Sequence, residues 1–176
     1  MITHGRRTLI ANGDPVTLPF LTPLNTTQLR SVGIPEPWAF GVADKVRFGE
    51  LDALGHVNNV AYMSWFEVVR IHYFRNYGLS DYKSADRPRL VLANANVTYK
   101  AEMHLGQDYI ATARTAQFGN TSFMMEYAVH GDALHATGSA VIVQLNQDGT
   151  KRALTEALKE QMARLDSATS RQPRNE

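Results

Sequence analysis

Between Asn59 and Tyr77, the apolar side chains of Tyr62, Phe66, Val69, Tyr73 and Tyr77 recur at three- and four-residue steps, the period of an α-helix. Val60, Met63, Trp65, Val68, Ile71 and Phe74 fill most of the remaining circumference, leaving Ser64, Glu67 and Arg70 as a narrow polar stripe. Such a helix is too apolar to lie half wet on a surface, so it has to be covered on most sides. A curved sheet wrapped around it supplies that cover, and Gly78 is well placed to end it.

The rest of the chain provides the sheet. From Asp44 to Glu50 the pattern alternates, with Val46 and Phe48 on one face and Lys45 and Arg47 on the other, which predicts a short strand. After a polar loop with Arg87 and Pro88, four more strand-like segments are expected at about 89–101, 108–118, 122–131 and 133–146. Gly106, Gly119 with Asn120, Gly131 with Asp132, and Asp148 with Gly149 punctuate them, which suggests an antiparallel meander. Leu154, Leu158, Met162 and Leu165 predict a last helix over 154–165. The expected fold class is α+β, one antiparallel sheet enclosing one helix, in a domain spanning 41–165. Residues 1–40, interrupted by Pro15, Pro19, Pro23, Pro35 and Pro37, read as an arm that lies on the domain or is partly disordered. The polar stretch 166–176 reads as a disordered tail.

Composition narrows the partners. A formal net charge of +1 lacks the basic excess of a nucleic-acid binder, and no apolar run approaches the roughly 20 residues needed to cross a bilayer. The chain has no cysteine, which excludes disulfides, thiolate metal sites and a cysteine nucleophile and fits a reducing, cytoplasmic setting. The Gly5-Arg6-Arg7 start looks like an export signal, but Asn12, Gly13, Asp14 and Pro15 break the apolar run that must follow one. Histidines 4, 56, 72, 104, 130 and 135 show no ligand spacing on a single helix, so no metal is expected, and no glycine loop for phosphate or dinucleotide occurs.

Chemistry concentrates in one block, Asp52-Ala53-Leu54-Gly55-His56-Val57-Asn58-Asn59, where a strand-like segment gives way to the long helix. Unpaired N–H groups at a helix start favour a developing oxyanion, while a nearby carboxylate attacks or activates water, a layout suited to acyl transfer. On composition alone Asp52 and the asparagines serve equally as turn builders and helix caps, Gly55 as a tight-turn residue and His56 as a structural histidine. Gly119, Asn120, Thr121 and Ser122 read as a hairpin turn or bulge, or as a stretch open enough for a ligand to approach the backbone. Glu67 and Arg70 are spaced for an ion pair.

Val46-Arg47-Phe48, Asp52, Gly55-His56-Val57-Asn58-Asn59, Tyr62, Trp65, Glu67 and Arg70 together resemble the hotdog-fold acyl-CoA thioesterases of the 4-hydroxybenzoyl-CoA thioesterase-like branch. Val97-Thr98-Tyr99 and Phe118-Gly119-Asn120-Thr121-Ser122 also look like that family. The resemblance implies a five-stranded antiparallel sheet wrapped around one long helix and a homodimer, or a dimer of dimers, joined sheet edge to sheet edge with active sites at the interface. It implies hydrolysis of acyl-CoA, coenzyme A entering only as part of the substrate and no cofactor being needed. By position, Asp52 matches the catalytic aspartate, nucleophile or general base, and the Asn59 N–H the oxyanion donor. His56 matches a supporting position, Asn58 and Tyr62 substrate contacts, and Gly119 to Ser122 a contact with the pantetheine arm. The plant acyl-carrier-protein thioesterases carry an asparagine where this chain has Leu54, which argues against a histidine-centred mechanism. Acyl-carrier-protein thioester hydrolysis and non-catalytic acyl-CoA binding are the competing expectations.

Overall fold

The computed structural model describes residues 6–11 and 14–171, with side chains from residue 18 onward. The twin-arginine-like start and the end of the polar tail therefore lie wholly or partly outside the described residues.

Two strands, β1 (Arg6–Ala11) and β2 (Asp14–Pro19), pair as an antiparallel hairpin. They are followed by β3 (Pro23–Leu24), the short helix α1 (Thr26–Ser31) and β4 (Gly41–Lys45). The long helix α2 (Asn59–Asn76) precedes β5 (Arg89–Tyr99), β6 (Asp108–Phe118), β7 (Ser122–His130) and β8 (Leu134–Leu145). Helix α3 (Glu156–Asp166) and β9 (Thr169–Ser170) close the described chain.

Among the described residues the main sheet has seven strands rather than the expected five, in the order β3-β4-β6-β7-β8-β5 with β9 against β6. Five long strands, β4 to β8, pair antiparallel; the two-residue β3 and β9 extend them. Both additions come from stretches whose polar and proline-rich composition carries no strand period. The strand expected over 44–50 sits earlier, because β4 pairs with β6 from Gly41↔Thr112 to Lys45↔Asp108. The chain then turns: Arg47 bonds Asp44 at 2.9 Å and the Arg47 N–H donates to Glu50 Oε2 at 2.7 Å. Phe48 is 80% exposed on that turn, so its alternation with Val46 is coincidental.

Helix α2 lies on the sheet through Ala61, Tyr62, Trp65, Phe66, Val69, Tyr73 and Phe74, all buried. Phe66 stacks on Tyr127 at 4.9 Å and Trp65 on Tyr109 at 4.0 Å. The helix approaches so closely that a Cβ on Gly138 of β8 would meet the Phe66 ring at 2.5 Å. The cover has a gap: Val60, Ser64, Glu67 and Val68 are exposed, so a stripe of α2 faces out of the single chain. The N-terminal segment forms a second, smaller core in which Leu18, Phe20, Leu24 and Leu29 pack with Ala43 and Ile110.

In place of disorder from residue 166, the chain continues in register. Asp166 is buried at the end of α3, Ala168 is buried, and the Arg171 N–H donates to Phe118 O at 2.7 Å. Among the described residues no helix is long and apolar enough to cross a membrane.

Candidate active site

The block ahead of α2 folds as a turn organised by its own aspartate. Asp52 Oδ1 accepts from the N–H groups of Leu54 at 2.8 Å and His56 at 3.1 Å. The backbone closes the same loop, Asp52 N–H to His56 O at 2.8 Å and Gly55 N–H to Asp52 O at 3.1 Å. Gly55 has φ +81°, a left-handed conformation that side chains with a Cβ adopt at a cost. The turn is fixed to the domain where the Val57 N–H meets Met103 O and the Asn58 N–H meets Glu50 O, each at 2.8 Å.

This arrangement leaves Asp52 exposed with one oxygen held by two backbone donors and Oδ2 without a protein partner among the described residues. Two donors on one oxygen orient the carboxylate while its second oxygen stays available. Asn58 is the N-cap of α2: its Oδ1 accepts from the Val60 N–H at 3.0 Å, so the side chain assigned to substrate from sequence also serves the helix. Asn59 is the first helical residue, and its N–H has no acceptor among the described hydrogen bonds, as expected for a donor in the first turn. Its carbonyl accepts from Tyr99 OH at 3.2 Å.

Asp52, His56, Val57, Asn59 and Tyr62 line one open cleft of about 500 Å³ together with Tyr99, Lys100, Ala101 and Glu102. Tyr62 packs against Tyr99 at 5.3 Å between ring centres, and burial pushes its phenol pKa upward, so it stays a neutral hydroxyl. Tyr99, Lys100 and Glu102 are wall residues that the motif did not reveal. Val97-Thr98-Tyr99 was the sequence signal nearest to them.

Gly119, Asn120, Thr121 and Ser122 lie elsewhere within one chain. They form the β6–β7 connection, closed by the Gly119 N–H to Ser122 O at 2.8 Å. Thr121 O accepts from the Gln144 N–H and Asn120 O from the Leu154 N–H, while Gly119 and Asn120 line a separate groove against α3. Glu67 and Arg70 meet at 3.9 Å, as their spacing predicts. Sequence spacing gave no metal site, yet His56, Glu102 and His104, distant in sequence, converge at the cleft rim.

The model of the thioesterase-like superfamily matches residues 46–165. A crystal structure of a thioesterase superfamily member from Jannaschia sp. CCS1 shares 44% identity at a TM-score of 0.82, covering 86% of this chain and 98% of that one. A thioesterase from Thermus thermophilus, solved with coenzyme A and Zn, shares 32% identity at a TM-score of 0.64, over 76% of this chain and 98% of its own. The uncharacterized protein YsmA of Bacillus subtilis strain 168 is 29% identical over 110 residues, 60% of this chain and 72% of its own length. The chain belongs to the thioesterase-like superfamily, and with it to the thioester hydrolases.

Proposed function

We propose that this protein hydrolyses acyl-CoA thioesters to the free acid and coenzyme A in the cleft ahead of α2. The observation that carries the reading is the pairing of an oriented carboxylate with one uncommitted oxygen, Asp52 Oδ2, and an uncommitted donor, the Asn59 N–H, on one cleft. The thioester carbonyl oxygen takes the Asn59 N–H, whose hydrogen bond strengthens as negative charge develops. Asp52 attacks the carbonyl carbon, or takes a proton from a water that does, and collapse of the tetrahedral intermediate expels the coenzyme A thiolate; in the first case water then cleaves the acyl–Asp52 anhydride, releasing the acid and restoring the carboxylate. His56 supports the reaction through its backbone N–H on Asp52 Oδ1. Tyr62 and Asn58 shape the entrance.

The superfamily's hotdog core corresponds to the five long strands curving over α2, and two copies join along β5. Among the described residues that strand pairs only with β8, leaving an edge with Val91, Leu92 and Tyr99 exposed, the kind of edge that association covers. Gly119 to Ser122, remote from the cleft within one chain, meet the pantetheine arm of a substrate held by a second copy. No cofactor takes part, and the working compartment is the cytoplasm.

Because the chain has no cysteine, a thiol-reactive dye reports released coenzyme A without protein background. Short, long and aromatic acyl-CoAs, each offered beside the matching acyl-carrier-protein thioester, should reveal turnover on the coenzyme A carrier. Turnover on the carrier protein alone, or saturable acyl-CoA binding with no thiol released, overturns the reading.

A further inference from the structure

Three metal-ligating side chains converge at the rim of the cleft although they come from two separate segments. His56 and His104 are directly opposed in an isolated antiparallel bridge, and residues paired in that way project to the same side. Glu102 stands two residues before His104, so an extended chain returns its side chain to that same face. The imidazoles meet edge to face with centres 5.1 Å apart. Glu102 sits between them, Oε2 at 3.4 Å from His56 Nε2 and Oε1 at 3.6 Å from His104 Nε2.

We propose that His56, Glu102 and His104 form a binding site for one divalent transition-metal ion of the zinc class. The three ligand atoms lie within 4.8 Å of one another. A tetrahedral zinc ion with bonds of about 2.0–2.1 Å separates its ligands by about 3.3 Å, so the His56 Nε2 to Glu102 Oε2 distance already fits one carboxylate oxygen, and a modest approach of His104 to that oxygen and to His56 completes the set. Two neutral imidazoles and one carboxylate favour zinc and its neighbours over magnesium or calcium, which prefer all-oxygen surroundings. Three protein ligands leave a coordination position open, as in zinc sites that bind a further ligand. The backbone is already fixed on both sides: the His104 N–H donates to Gln107 Oε1 at 2.6 Å and the Val57 N–H to Met103 O at 2.8 Å. His56 and Glu102 also line the Asp52 cleft, so a bound ion stands at its entrance. The site goes beyond the thioester reading, and binding is measured without turnover, so either can fail alone.

The test is equilibrium titration of untagged protein with Zn²⁺ against a chromophoric chelator, repeated with Mg²⁺. The site predicts one Zn²⁺ per chain, with Mg²⁺ at the same concentration not competing. His104→Ala and Glu102→Gln alter exposed side chains and leave the fold intact. Removing an outer-shell partner typically weakens metal affinity by about 10- to 100-fold, so loss of a direct ligand is expected to cost about 100-fold or more in each variant. In the parent, Co²⁺ should give the intense visible absorption of a four-coordinate ion, absent from both variants. Failure to saturate at one ion per chain, or unchanged affinity in His104→Ala, overturns the proposal and leaves the cluster as a pair of surface ion contacts.

Discussion

The two ends of α2 each meet an aspartate, and the two carboxylates could hardly differ more. Asp52, ahead of the first turn, is exposed, with one oxygen held by backbone N–H groups and the other uncommitted. Asp166, beyond the last turns, is 1% exposed, and both oxygens are taken. Tyr73 OH and the Thr115 N–H donate to its Oδ2, the latter at 2.8 Å, and Tyr77 OH donates to Oδ1 at 2.8 Å. The Asp166 carbonyl also accepts from Arg114 at 3.2 Å. Burial lifts the Asp166 pKa above its ordinary value, partly offset by the hydrogen bonds from Tyr73, Thr115 and Tyr77. A carboxylate that is held but accessible suits chemistry; one saturated and buried suits structure, since it ties α3 to α2 and the sheet.

Removing the buried partner should have the largest effect on folding. Asp166→Ala takes the acceptor from the Tyr77 hydroxyl and the Thr115 N–H in the core, while the Tyr73 hydroxyl keeps Thr115 Oγ1 at 2.9 Å; each unmet donor costs about 1–3 kcal/mol, so a loss of about 2 kcal/mol or more is expected by urea unfolding. Gly138→Ala attacks the packing between those ends. Its Cβ would meet the Phe66 ring and, at 2.7 Å, Asn96 O, and overpacking of this kind costs about 1–3 kcal/mol, read as a lower unfolding midpoint. At the Asp52 end the structural stakes are smaller: Asn58→Ala removes the α2 cap and should cost about 1 kcal/mol by the same measurement.

A pH series sharpens the contrast. The Asp166 pKa is raised in the folded state, so between the ordinary carboxylate value and that raised value the native protein holds more protons than the unfolded chain. Stability from this group is therefore full at low pH and declines as pH rises through the window. Asp166→Asn mimics the protonated acid without ionising. Relative to this variant the parent should lose stability as pH rises from about 4, and a parent that gains on the variant over that range contradicts the assigned role.

The same contrast explains what the sequence revealed. Asp52 was legible because its turn is local: Asp52, Gly55, His56 and the asparagines lie within eight residues, and Asp52 bonds Leu54, Gly55 and His56 directly. The helix and four long strands were legible because apolar period records which face is covered, and β6 falls where that period predicts. Asp166 looked like the start of a polar tail, since nothing near it in sequence announces two tyrosines a long way upstream. His56, Glu102 and His104 escaped for the same reason, their proximity arising from a backbone bridge between distant segments. The exposed stripe of Val60 and Val68 was misread as covered because composition records how apolar a helix is, not whether its cover comes from the same chain.

The proposed catalysis in this cleft requires Asp52 to be reactive yet dispensable for folding, and Asp52→Asn tests both halves in one preparation. The amide keeps an oxygen for the Leu54 and His56 N–H groups but cannot act as a carboxylate. With the best acyl-CoA substrate, kcat is expected to fall by about 100-fold or more while the unfolding midpoint stays near that of the parent. Full activity in this variant, or activity lost only in step with folding, contradicts the assignment.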